Sequence, residues 1–160
     1  MIHGIRHFLP AILKHGEAGH IVNTASVAGF QNRRGTDQAP YSMSKYAVVS
    51  LSEALEHELE GTNVGVSVLC PGPVNTNIPR GARNRPQHMG GSQLRANDEA
   101  VLAERLATKG IDPTVVGERV VDAIRTKTFY AFVSAVPAAV IKARHRRIED
   151  ALNSPWVTHY

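Results

Sequence analysis

The chain has 160 residues, 42% of them apolar and 20% charged, a balance that excludes disordered and fibrous classes and matches one globular domain over 1–160. Its longest apolar run, Ala131 to Ile141, falls far short of the ~20 residues a spanning helix requires, and Pro137 interrupts it, so no membrane segment is expected. The formal charge of +4 comes largely from two basic stretches, Arg80–Arg85 and Lys142–Arg147, that carry no interleaved aromatic residues, so nucleic acid is not an expected partner.

Ile2, Ile5, Phe8, Leu9, Ile12 and Leu13 recur at helical spacing and predict an amphipathic helix over 2–14, stopped by Gly16 and Gly19. The opening residues show no signal-peptide pattern and read as a helix entered midway. The short, partly β-branched run from His20 to Ala25 predicts a buried strand, and the polar residues 31–38 a loop. A second long helix is expected over 41–60, with Val48, Leu51, Leu55 and Leu59 on one side and a stop at Gly61. Val64–Cys70 reads as a second strand, ended by Pro71-Gly72-Pro73, and a Gly- and Arg-rich loop follows to about residue 93. Helices are predicted over 97–108, over 114–126 behind the cap Asp112-Pro113, and over 137–152, with a third strand at 129–133. Strands alternating with helices of this length predict an α/β fold of parallel units with right-handed crossovers.

Tyr41 and Lys45 lie four positions apart at the start of a predicted helix, so both project from one face, one turn apart. An ammonium ~5 Å from a phenol favours the ionised phenol by about 3 kcal/mol at an effective dielectric of ~20, which makes the phenol usable as an acid or base near neutral pH. Ser26, just past the first strand, sits at the sheet edge where α/β proteins place their ligands and within reach of the Tyr41 hydroxyl. The eight histidines show no zinc spacing with a third ligand, so no metal is expected. No Gly-x-Ser-x-Gly elbow accompanies Ser42, Ser44 or Ser50, which argues against hydrolase chemistry. Cys70, the single cysteine, lies in an apolar strand as an inert core residue and fits a reducing, cytoplasmic setting.

The strand ending in Ser26, the helix opening Tyr41-Ser-Met-Ser-Lys45 and the turn Pro71-Gly-Pro-Val-Asn-Thr76 stand in an order that resembles the short-chain dehydrogenase/reductase family, over residues 1 to about 76. The resemblance implies a partial, doubly wound Rossmann-type parallel sheet: the C-terminal, catalytic half of an NAD(P)-binding domain, with about three strands and flanking helices. It implies an oxidoreductase that moves a hydride between NAD or NADP and a carbonyl or secondary alcohol, a small-molecule substrate. Tyr41 would be the general acid/base and, with Lys45, would also contact the cofactor. Lys45 would support its ionisation and hold the nicotinamide ribose, and Ser26 would orient the substrate oxygen. Pro71, Gly72, Val74 and Thr76 would lie against the nicotinamide. The loop over about 77–95 takes the place of the family's variable substrate loop. Helices 2–14 and 41–60 correspond to elements through which members form homodimers or homotetramers.

The chain also departs from that pattern. No Thr-Gly-x-x-x-Gly-x-Gly loop occurs anywhere in it, so the family's pyrophosphate cradle and the residue choosing NAD or NADP are absent from these 160 residues. The family's Asn-Ala-Gly stretch and catalytic Asn would fall upstream of Met1; Asn23 and Asn32 do not replace that Asn. Ser26 and Tyr41 are 15 positions apart, slightly more than usual in the family, a difference assigned to Arg33-Arg34-Gly35. The chain is therefore expected to be a fragment with weak or no activity in isolation. The rival expectation is a truncated, non-catalytic remnant that binds a partner through the edge of its first strand or its helices.

Overall fold

The computed structural model describes residues 1–32, 38–90, 96–134 and 138–156. Three strands, β1 (Gly19–Thr24), β2 (Val64–Cys70) and β3 (Tyr130–Phe132), form one parallel sheet in the order β1-β2-β3. The register runs from Gly19 opposite Val64 to Thr24 opposite Leu69, then from Val68 opposite Tyr130 to Cys70 opposite Phe132. Five α-helices accompany it: α1 (Ile2–His15), α2 (Ala39–Glu58), α3 (Ala96–Lys109), α4 (Pro113–Thr126) and α5 (Ala138–Leu152).

Alternation along β2 explains the layering, because successive side chains of a strand point to opposite faces. Val64 and Val66 pack with Leu55 and Leu59 of α2 and with Ile5, Leu9 and Ile12 of α1. Val68 and Cys70 pack with Ala25 and with Val49 of α2. Leu69 points the other way, onto Ala131 and Ala123, with Val116 and Val120 of α4 alongside. Helices therefore cover both faces of the parallel sheet, the doubly wound arrangement expected for strands that are apolar on both sides.

Most elements match their predicted bounds to within two residues. Helix α2 begins earlier than expected, at Ala39, because Pro40 occupies its first turn, where a missing N–H leaves no bond unmade. Strand β3 is shorter than 129–133, although the Phe129 carbonyl still accepts from Val68 N at 2.7 Å. Beyond Cys70 the partner strand runs into Pro71, which has no N–H to extend the ladder. The loop expected over 77–95 contains two 3-10 turns, Ile78–Asn84 and Gln87–Met89, and Pro79 in the first of them is buried. Arg33-Arg34-Gly35, residues 91–95 and Pro137 lie outside the described residues. No described helix is long and apolar enough to cross a membrane.

Two polar networks brace the sheet. Asn23 of β1 donates to Ser52 Oγ of α2 at 3.0 Å, and Ser52 donates in turn to the Val48 carbonyl at 2.8 Å, so this buried pair is satisfied and pins α2 against β1. On the opposite face Ser67 donates to the Thr128 carbonyl at 2.7 Å. Its single proton is then committed, so the 2.7 Å contact with His20 makes His20 Nε2 the donor. Desolvation, and secondarily the Lys127 ammonium, hold the His20 imidazolium below its ordinary pKa. Folded His20 thus resists protonation, whereas the unfolded chain takes that proton near pH ~6.5. The stabilisation is fully present above that pH and is lost progressively as pH falls below it. Melting temperatures of the wild type should drop between about pH 8 and pH 5 more steeply than those of His20→Gln; equal slopes would remove His20 as the cause.

Candidate active site

Strand β1 ends at Thr24, and its register with β2 continues one step further, through Ala25 N donating to the Leu69 carbonyl at 2.8 Å. Ser26 then leaves the sheet in extended backbone and caps the 3-10 turn Val27–Gly29, its Oγ accepting from Ala28 N at 3.2 Å. Val27 N donates to the Pro71 carbonyl at 3.1 Å, so the turns after β1 and β2 are tied together. The Ser26 hydroxyl proton also faces the Pro71 carbonyl, but at 3.5 Å, where a hydrogen bond is weak. The oxygen of Ser26 is therefore fixed by a good bond while its proton is loosely held.

The same turn packs on α2. A Cβ built on Gly29 would stand 2.8 Å from the Lys45 carbonyl oxygen and 2.8 Å from Val49 Cγ2, so only glycine permits this approach. From that turn of α2, Lys45 reaches back and donates to the Thr24 carbonyl at 3.1 Å. Its Nζ lies 5.7 Å from the centroid of the Tyr41 ring, within cation-π range, which bears out the shared face expected from the four-residue spacing. Tyr41 is 45% exposed, so its phenol is open to a reactant. No hydrogen bond joins Ser26 and Tyr41 among the described residues.

The turn after β2 supplies the other predicted positions. Pro71 and Gly72 are half-buried, Val74 is half-buried and Thr76 is exposed. Val74 forms an isolated parallel bridge with Ile111, and Thr76 Oγ1 accepts from Ile78 N at 3.4 Å. Ser26, Lys45 and Pro71 are thus brought together at the C-terminal edge of the sheet, with Tyr41 one helical turn from Lys45. Burial pushes the Cys70 thiol up to about 12, leaving it protonated and unreactive below the same turn. A groove of about 740 Å³ between α5 and the segment after the Ser26 turn is lined by Phe30, Tyr46, Arg144 and Arg147, and none of Ser26, Tyr41 or Lys45 lines it. Among the described residues no group of three or more His, Cys, Asp or Glu side chains is placed to hold a metal.

Three positioning features carry no motif in the sequence. Gly29 closes like many turn glycines, the Asn23–Ser52 bond joins residues 29 positions apart, and Ile111 meets Val74 across the whole excursion from 75 to 110. Only Gly29 offers a local signal, a glycine three residues past Ser26.

A family model described as short chain dehydrogenase matches residues 1–87, more than half of the chain and every position from Ser26 to Thr76 named above. The chain belongs to the short-chain dehydrogenases. Its similarity extends to 1-deoxy-11-beta-hydroxypentalenate dehydrogenase of Streptomyces avermitilis, 33% identical over 155 residues, covering 97% of this chain and 48% of that protein. A solved short-chain dehydrogenase/reductase from Burkholderia phymatum, in complex with NAD, is 36% identical with a TM-score of 0.80, over 99% of this chain and 58% of the other. Actinorhodin polyketide ketoreductase, solved with NADPH, is 29% identical with a TM-score of 0.52, over 76% of this chain and 46% of the other. This short-chain dehydrogenase therefore spans about half the length of the relatives it matches, and its sheet, helices and family are those the sequence motifs implied.

Proposed function

We propose that the site of this short-chain dehydrogenase serves hydride transfer between NAD or NADP and a carbonyl or secondary-alcohol carbon, with Tyr41 moving the proton. The observation that carries the reading is the Lys45–Thr24 bond: it fixes the ammonium, and with it the Tyr41 turn, at the end of β1 beside the Ser26 turn. A phenol, an ammonium and a hydroxyl form a donor set suited to the nicotinamide and ribose end of the dinucleotide and to a substrate oxygen. Its pyrophosphate end has no cradle in these 160 residues, which contain no Gly-rich loop of the family type.

Bound NAD(P) supplies the hydride donor or acceptor. In the reducing direction the Tyr41 hydroxyl donates its proton to the substrate oxygen, and in the oxidising direction the phenolate takes it back. The loosely held Ser26 proton turns from the Pro71 carbonyl to the substrate oxygen and orients it. Lys45 spends one N–H on Thr24 and would hold the ribose with the others. Val74 and Thr76 would hold the carboxamide, and the segment over about 77–95 would serve as the substrate loop. The relative named for 1-deoxy-11-beta-hydroxypentalenate supports a hydroxyl-bearing substrate or its ketone. Incubating the chain with NADH or NADPH and a panel of ketones and aldehydes should give slow cofactor oxidation with at least one carbonyl and none without, the weak activity expected of a chain without the pyrophosphate cradle. A folded chain that oxidises neither cofactor with any carbonyl would sink this reading in favour of a partner-binding remnant, which the pairing of β1 on one side alone among the described residues favours.

Self-association through α1 and α2 belongs to the same proposal and is supported by Ile2 and Phe8 of α1 and Met43 of α2, all more than half exposed. Light scattering should read a dimer or tetramer at micromolar concentration, and a monomer at every concentration would remove it.

A further inference from the structure

The excursion that leaves the sheet after Pro71-Gly72-Pro73 returns to the same place. Asn75 N donates to the Ile111 carbonyl at 2.9 Å, and Ile111 N donates to the Pro73 carbonyl at 3.0 Å. These reciprocal backbone bonds form the bridge between Val74 and Ile111 and clasp the loop between its entry and its exit. Beside the clasp sits Gly110, the first residue past α3, with its N–H donating to the Leu106 carbonyl at 2.9 Å. A Cβ on Gly110 would collide with the Leu106 carbonyl oxygen, stand 2.6 Å from Asn75 N and lie 3.0 Å from the Val74 carbonyl carbon. All three are backbone atoms, which cannot swing aside as a flexible side chain would. Any side chain here must part the end of α3 from Val74–Asn75 or break the clasp.

We propose that Gly110 is a positioning residue for the cofactor loop: by letting α3 and Ile111 close on Val74 and Asn75 it sets where Val74 and Thr76 stand. This rests on the reading of Val74 and Thr76 as the nicotinamide-facing residues. Gly110 touches no reactant. It acts through the backbone of Pro73–Asn75, and a displacement of well under 1 Å in a site-forming loop is enough to weaken binding. Gly117 of α4 provides the control, because a Cβ there meets nothing within 4 Å.

The test compares Gly110→Ala, Gly117→Ala and wild type by amide hydrogen exchange and by titration with NADH and NADPH. In Gly110→Ala the amides of Asn75 and Ile111 should exchange about tenfold faster or more, while Val68 N, bonded to Phe129 in the sheet, keeps its wild-type rate. Dinucleotide affinity should fall about tenfold in the same variant, with Gly117→Ala at wild-type values in both measurements. Unchanged exchange at Asn75 and Ile111 would overturn the proposal, as would acceleration spread equally to Val68, which would mark Gly110 as a general scaffold residue. Failure of the underlying cofactor reading looks different: the wild-type chain then shows protected Asn75 and Ile111 amides and binds neither dinucleotide.

Discussion

Replacing Tyr41 by phenylalanine should lower the turnover of nicotinamide cofactor with a carbonyl substrate by about 10²–10⁴-fold, the range a positioned general acid contributes. The substitution removes one oxygen and its proton while keeping the ring, so the cation-π contact with Lys45, 5.7 Å from the centroid, survives. It disturbs little else, because Tyr41 is 45% exposed and its hydroxyl holds no described neighbour in place. The melting temperature should therefore stay near wild type and dinucleotide affinity should fall by no more than about tenfold, the loss of one neutral hydrogen bond, while kcat collapses, the pattern of an interaction made in the transition state. A variant whose kcat stays within about threefold of wild type would show that another group moves the proton.

Gly29→Ala carries the second large effect. The added methyl would press on the Lys45 carbonyl and on Val49, and α2 cannot retreat, because Val49 is buried and the Asn23–Ser52 bond pins the helix to β1. Overpacking of this kind costs about 1–3 kcal/mol. For a chain of this length that is a fall of roughly 2–12 °C in melting temperature, read by circular dichroism or calorimetry. The Ser26 turn would be levered away from Lys45 at the same time, so activity measured well below the melting point should fall as well. An unchanged melting temperature would show that the turn and the helix are not in the close approach described.

How far the sequence reaches is clearest by comparing β2 with the loop behind it. Val64–Cys70 could be bounded exactly, because its apolar residues alternate and Pro71 ends it. The 3-10 turns over Ile78–Asn84 and Gln87–Met89 could not, since elements of three to seven residues have no hydrophobic period to read. The site divides in the same way. Tyr41 and Lys45 were legible as a pair because helix geometry alone puts four-apart residues on one face. Ser26 was legible as a position at the end of a strand, but the bond that holds its oxygen, from Ala28 N, depends on a local turn. The features that decide distances are non-local: Asn23 with Ser52, Gly29 with Lys45, Gly110 with Asn75. Each joins residues that only the folded sheet brings together, and a single sequence holds no periodic signal for them.

That the Ser26 turn, the first turns of α2 with Tyr41 and Lys45, and Pro71 to Thr76 form one cofactor and proton-transfer site is tested most directly by calorimetric titration of NADH and NADPH into wild type and Tyr41→Phe. Saturable one-site binding of at least one dinucleotide, with affinities within about tenfold of each other in the two proteins and turnover lost only in the variant, is the predicted result. A folded wild-type chain that binds neither dinucleotide would contradict it.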